Sequence, residues 1–205
     1  MDRYCYYIFK FIFYIFYKIF FRFETEGYES IPEEGGVIIA ANHLSYLDPP
    51  LIGIAIKRRA TYMAKSSLFK NPLISWFVRM FSIPVDRDRA KPSTIKTAVQ
   101  ALKEGKLLVI FPEGGRRRSA EIAEGRRGVG MLAALSRSPV VPAYIEGTDR
   151  ALPVGARFIR PAKVRIRFGT PLRIESSEES KDFQRRVTNE IMNRIRELAN
   201  ADKGG

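Results

Sequence analysis

Cysteine and histidine are nearly missing from these 205 residues, and each gap removes a class of protein. A single cysteine, Cys5, allows no intrachain disulfide and no cysteine-based zinc site, and it fits a reducing, cytosol-facing compartment. A single histidine, His43, excludes metal sites built on several imidazoles and any mechanism that needs two. Acidic residues are also scarce: 22 Asp and Glu stand against 35 Lys and Arg, a net charge of +13. Such an excess favours polyanionic partners, whether nucleic acid, anionic lipid headgroups or phosphorylated substrates. No internal repeat, low-complexity linker or P-loop occurs. What is present, 45% hydrophobic and 28% charged residues, is the composition of an ordinary globular protein, and the length suits one catalytic domain with an appendage.

The appendage is the N-terminal segment. Tyr4 to Phe23 is an aromatic and isoleucine run broken only by Lys10, Lys18 and Arg22, long enough for about 30 Å of helix. On a helical wheel Arg3, Tyr6, Lys10, Tyr7, Tyr14, Tyr17 and Lys18 form a polar stripe. Ile8, Phe9, Ile12, Phe13, Ile15, Phe16, Ile19, Phe20 and Phe23 lie opposite, and Phe11 and Phe21 blur the division. A spanning helix would place Lys10 and Lys18 in hydrocarbon at up to about 2.5–3.5 kcal/mol each, nearly cancelling the gain of roughly 0.3–0.6 kcal/mol from each Ile and Phe. The periodicity therefore favours a helix in the interface plane, with its apolar face down and its basic, Tyr-rich face toward headgroups or its own domain. A spanning helix and a core-buried helix are the alternatives. No small-residue cleavage site follows, so a cleaved signal peptide is not expected. Residues 1–24 are accordingly read as a membrane-attachment helix and 25–205 as a catalytic domain.

Beyond Glu24 the pattern is that of an α/β domain. Buried strands are expected at Gly36–Ala40, Thr61–Ala64, Ser82–Val85, Leu107–Phe111 and Val140–Ile145. Helices are expected from Asp48, with Asp as cap and proline in the first turn, and at Leu73–Met80, Ser93–Glu104, Arg127–Ser136 and Glu179–Ala199. This alternation predicts a largely parallel sheet flanked by helices. Lys163–Phe168 alternates basic and apolar residues, as a strand near an edge with one wet face would.

Chemistry concentrates in strand-end loops. In Asn42-His43-Leu44-Ser45-Tyr46-Leu47-Asp48, His43 and Asp48 could not meet on a continuous helix. A strand-loop-helix turn doubles back, so Asp48 could bond the imidazole Nδ1 and leave Nε2 as a general base for a hydroxyl substrate. The plain alternative is that Asp48 caps the helix and His43 is a polar loop residue. Phe111-Pro112-Glu113-Gly114-Gly115-Arg116-Arg117-Arg118-Ser119 sets a carboxylate, two glycines and three arginines at a strand end. That set suits a phosphate-bearing polyol, with Glu113 accepting from hydroxyls and an arginine pairing with phosphate; a solvated charge run or headgroup binding explains it equally. Asp86-Arg87-Asp88-Arg89 is a third basic strand end, with surface ion pairing as its alternative, and Val141-Pro142 in a fourth loop reads as structural.

Taken in order, these loops resemble those of the PlsC-like glycerolipid acyltransferases, the bacterial 1-acyl-sn-glycerol-3-phosphate (lysophosphatidic acid) acyltransferases. The N-H-x-x-x-x-D motif is matched by Asn42, His43 and Asp48, and F-P-E-G-T-R-S by Phe111, Pro112, Glu113, Gly114 and Arg116. The V-P-V-like strand before a glycine is matched by Val141, Pro142 and Gly147, and the likeness spans roughly residues 25–175. Two motifs depart from the pattern: Phe81 and Pro84 replace Gly and Phe of G-x-x-F-x-x-R, keeping Arg87, and Gly115 replaces Thr, with Arg117 and Arg118 before Ser119.

The resemblance implies a glycerol-3-phosphate acyltransferase-like α/β fold and transfer of a fatty acyl group to the sn-2 hydroxyl of lysophosphatidic acid, giving phosphatidic acid. It implies His43 as base with Asp48 orienting it, Glu113 and Gly114 at the glycerol portion, and Arg87, Arg116 and Lys65 at the phosphate. Arg116 is first in register, with Arg117 and Arg118 as alternatives. The donor would be acyl-CoA or an acyl carrier protein, with no cofactor, no metal and no covalent acyl-enzyme. The place of action would be the bilayer, at the cytoplasmic face of a bacterial inner membrane, with peripheral attachment. Rival readings are another acceptor, such as glycerol 3-phosphate or a different lysolipid, and a non-catalytic protein binding anionic lipid. Nucleic acid is not expected, because no aromatic-basic recognition motif accompanies the arginines.

Overall fold

The computed structural model describes residues 3–65, 69, 75, 82–85, 92–118, 121–174, 178 and 180–201. The centre is a seven-stranded sheet of β1 (Glu24–Glu26), β2 (Val37–Ala41), β3 (Ala60–Lys65), β4 (Ser82–Val85), β5 (Leu107–Ile110), β6 (Val140–Glu146) and β7 (Arg165–Phe168), in the order β1-β7-β6-β2-β5-β3-β4. β6, β2, β5, β3 and β4 run parallel; β7 is antiparallel to β6, and β1 is parallel to β7. Described helices are α1 (Arg3–Phe21), α2 (Asp48–Ala55), α3 (Pro92–Lys103), α4 (Gly128–Ser136), the single turn α5 (Thr148–Ala151) and α6 (Lys181–Asn200). A 3₁₀ turn covers Tyr28–Ser30.

The strand sequences explain the layers. β2 and β5 are buried along their whole length, as strands covered on both faces must be. Val37, Ile39, Leu107 and Val109 point to the side holding Leu51 and Ile52 of α2 and Tyr17 and Phe21 of α1. Ile38, Ala40, Leu108 and Ile110 point to the other, against α3, α4 and α6. A Cβ on Gly130 of α4 would stand 2.0 Å from the Gln184 carbonyl of α6, so these helices meet backbone to backbone.

The expected strands and helices form within a residue or two of their expected bounds, apart from Leu73–Met80, of which only residue 75 is described. β1 and α5, three and four residues long, are too short to show a period and were not anticipated. The expected wet face of 163–168 is corrected. β1 covers β7, and Arg165 and Arg167 pair with Glu24, Glu26 and Glu146, leaving Arg167 5% exposed. Pro142 lies within central β6, opposite Ala40, and its carbonyl accepts from the Gly169 amide at 2.8 Å.

α1 lies on the domain with part of its polar stripe inward, while Tyr7, Tyr14 and Lys18 of that stripe are exposed and Phe13, expected on the outer face, packs on the core. Tyr6 and Tyr17 are buried, Lys10 Nζ donates to the Ile56 carbonyl, and Phe21 sits inside this inward stripe. Ile8, Phe11, Ile12, Ile15, Phe16, Ile19 and Phe20 face outward, Ile19 being 77% exposed. Among the described residues no helix is long and apolar enough to cross a membrane.

Candidate active site

The site stands where β2 and β5 deliver their carboxyl ends, the face at which parallel sheets hold ligands. β2 runs straight into Asn42, whose side-chain amide donates to the Ile145 carbonyl at 2.8 Å and accepts from its amide at 2.7 Å. That bracket pins the end of β2 to β6 and sets the direction in which the chain leaves the sheet. His43 follows, then the turn into α2.

Asp48 is the first residue of α2, but Leu47 holds the cap position, which corrects the expected capping role. The Asp48 carboxylate instead reaches back into the loop. Its Oδ2 accepts from the Leu44 and Ser45 amides, each at 2.7 Å, and lies 2.8 Å from His43 Nδ1. Asp48 is fully buried and His43 6% exposed. Two amides hold one carboxylate oxygen in place, and that oxygen holds the imidazole, so Nδ1 carries the proton and Nε2 is left to accept one. None of the described residues bonds Nε2. Phe111 lies flat against the imidazole, with centroids 4.0 Å apart and planes 18° apart, which fixes the ring's remaining rotation.

The second loop closes onto the first. Glu113 Oε1 accepts from the His43 amide at 3.1 Å and Oε2 from the Ala123 amide at 3.2 Å, with Arg117 Nε 3.5 Å from Oε2. The Arg117 amide in turn donates to the His43 carbonyl at 2.8 Å. At 1% side-chain exposure Glu113 braces the two loops through the His43 and Ala123 amides. Gly114 turns at φ 76° and leaves room for the Arg126 guanidinium, which a Cβ there would meet at 2.4 Å. Arg126 was not legible in the sequence, where its only signal is one more arginine in a basic segment. The half-buried Arg116 guanidinium lies over the exposed Tyr46 ring at 3.3 Å, bridging the two loops, while Arg118 is exposed. Lys65 is described through its backbone, as the last residue of β3, and Arg87 lies outside the described residues.

The structure thus gathers His43, Asp48, Glu113, Gly114 and Arg116 at one end of the sheet. A cleft of about 1050 Å³ lined by Arg58, Thr61, Ser82, Lys96 and Lys106 opens at the opposite, amino-terminal end of β3, β4 and β5, away from the imidazole. Among the described residues no three His, Cys, Asp or Glu side chains are grouped as metal ligands.

A family model described as Acyltransferase matches residues 22–146, more than half of the chain and all of the loops above. The chain belongs to the acyltransferase family. Within that family it is 33% identical over 176 residues to the 1-acyl-sn-glycerol-3-phosphate acyltransferase of Bacillus subtilis, covering 84% of this chain and 85% of that protein. The protein of the same name from Streptococcus pneumoniae is 28% identical over 160 residues, 75% of this chain and 57% of that one. The crystal structure of the 1-acyl-sn-glycerophosphate acyltransferase PlsC from Thermotoga maritima superposes with a TM-score of 0.71 at 29% identity, covering 86% of this acyltransferase-family chain and 72% of the other.

Proposed function

We propose that this acyltransferase moves a fatty acyl group from a thioester donor to the sn-2 hydroxyl of 1-acyl-sn-glycerol 3-phosphate, giving phosphatidic acid. The observation that carries the reading is the buried His43–Asp48 pair, held by two backbone amides and presenting Nε2 at the carboxyl end of the sheet. The acceptor is the one named for the relatives from Bacillus subtilis and Streptococcus pneumoniae.

In this mechanism His43 Nε2 takes the hydroxyl proton as the oxygen attacks the thioester carbonyl. The carbon–sulfur bond breaks, and the imidazolium returns the proton to the leaving thiolate. Asp48 stabilises the imidazolium, while Glu113 acts through the His43 backbone. The acceptor phosphate pairs with Arg116, joined by Arg126 beside Gly114, with Lys65 and Arg87 as further cations. The donor is acyl-CoA or an acyl carrier protein, and the chain itself supplies the chemistry without cofactor.

On this reading residues 1–24 are the attachment segment, with α1 (Arg3–Phe21) as its helix, and 25–205 the catalytic domain. The outward Ile and Phe face of α1 rests in the bilayer at its cytoplasmic face, which spares acceptor and product a passage through water. The test is transfer of a labelled acyl group to lysophosphatidic acid in detergent micelles, comparing the intact chain with His43→Ala. Phosphatidic acid from the first and none from the second is expected; equal product from both would sink the His43 mechanism. Glycerol 3-phosphate and other lysolipids are run beside it, and a preference for either would reassign the acceptor.

A further inference from the structure

We propose that the loop Arg157-Phe158-Ile159-Arg160 is a second lipid-contacting surface, which inserts its apolar tip among anionic headgroups beside the catalytic loop. The inference rests on the membrane reading of α1 given above. It begins from where apolar surface is left in water: outside α1, the large exposed hydrophobic side chains among the described residues are Tyr46, Phe158 and Ile159. Phe158 is 80% exposed, an unfavourable position for a phenyl ring unless something covers it.

The loop is built and not frayed. Its base is closed by the Arg160 amide donating to the Ala151 carbonyl at 2.8 Å, and a turn inside it by the Ala156 amide on Pro153 O at 3.0 Å. Its entry is tied to the catalytic loop, where Ser45 Oγ donates to the Leu152 carbonyl at 2.8 Å. Its exit is tied to α1, where the Val164 amide donates to the Phe21 carbonyl at 3.0 Å. The loop that carries the Phe-Ile tip is therefore rooted at the end of α1 and at the loop that carries His43. Arg157 and Arg160, both exposed, flank the tip and suit lipid phosphates, since long basic side chains keep their charge at headgroup level while the residues between them enter the acyl boundary. A helix alone leaves the domain free to roll about the helix axis. A second contact beside Ser45 would fix the roll and hold the catalytic loop against the bilayer.

The test uses flotation of the full chain with vesicles of mixed phosphatidylglycerol and phosphatidylcholine. Phe158→Ser with Ile159→Ser is expected to lower the partition coefficient about tenfold or more. Arg157→Gln with Arg160→Gln is expected to lower it about fivefold per charge, on anionic vesicles only. Turnover of a short-chain acceptor below its micellar concentration should stay within about twofold of the parent for both variants. A fluorophore on Phe158→Cys, in a Cys5→Ser background, should be quenched by nitroxide-bearing lipid. Variants that float as the parent does, with the label unquenched, would overturn the loop's role and leave the α1 reading standing. A parent chain that does not float would overturn both. Equal loss of soluble turnover would make the loop a structural element, and a loss confined to carrier-protein donors, with partition intact, would make it a docking surface for that carrier; either overturns the lipid role.

Discussion

At the residue scale the site is a chain of dependencies that ends on one nitrogen. Removing His43 Nε2 by His43→Ala should cut acyl transfer by at least about 10²- to 10⁴-fold, while circular dichroism stays native. Asp48→Asn keeps an oxygen for the Leu44 and Ser45 amides but loses the charge that stabilises the imidazolium. Its expected signature is therefore a kcat loss of about 10²-fold or more with little change in KM or melting temperature. Glu113 gives the opposite pattern. Glu113→Ala strands the buried His43 amide, at a cost of about 1–3 kcal/mol, and lets the base drift, so stability and kcat fall together. Glu113→Gln, which retains an acceptor, should recover much of the stability; a rise in acceptor KM alone would return Glu113 to the substrate. The His43–Asp48 pairing was readable because a five-residue interval across a strand-to-helix turn brings two side chains together. The bracing by Glu113 was not, since bonds to backbone amides carry no residue-type signal, and neither was the Phe111 stack.

Elements are coupled through a few atoms. Tyr17 Oη donates to the Leu47 carbonyl at 2.8 Å, immediately before Asp48, so α1 touches the catalytic loop directly. Tyr17→Phe removes one buried hydrogen bond, worth about 0.5–1.5 kcal/mol, while the Leu47 carbonyl keeps its bond from the Leu51 amide at 3.1 Å. The expected outcome is a melting temperature a few degrees lower and a kcat loss of a few fold, larger than that of substitutions at outward positions such as Ile19. Equal effects at both positions would show that α1 bears on the site only through attachment. Gly130→Ala drives a methyl into the Gln184 carbonyl, and the resulting shift of α4 from α6 should cost about 1–3 kcal/mol in a denaturant melt. Long elements were readable from their apolar period, β2 and β5 most clearly. The facing of α1 was only half readable: the wheel set Tyr and Lys against Ile and Phe, yet Tyr7, Tyr14 and Lys18 are exposed while Phe13 packs on the core and Phe21 and Phe23 are buried. The seat supplied by Leu47 and Ile56 decides it.

For the whole molecule, the seat of α1 sets how the fold answers to pH. Tyr6 and Tyr17 are buried, and the half-buried Tyr62 keeps its hydroxyl inside, donating to the Pro49 carbonyl at 2.7 Å. Burial pushes all three phenols upward, Tyr62 strongly, and burial holds the Lys10 ammonium below its usual range. The signs oppose. A phenol whose value is raised in the fold contributes stability that is intact below its ordinary value of about 10 and is lost as pH climbs above it, because only the unfolded chain then releases the proton. Lys10, with its value lowered, makes the fold gain stability as pH rises from its folded value toward about 10.4, and contributes no further change beyond. Three phenols outweigh one amine above that point, so stability should fall steeply in the alkaline range. A titration of phenolate absorbance followed beside far-ultraviolet circular dichroism checks this: a late group of tyrosines should ionise only as helix is lost. In Tyr17→Phe that late phase should shrink by one phenol. A single reversible tyrosine transition near pH 10 with the helix signal intact would mean that α1 leaves its seat without unfolding the domain, and that the inward stripe of Tyr6, Lys10 and Tyr17 does not hold it there.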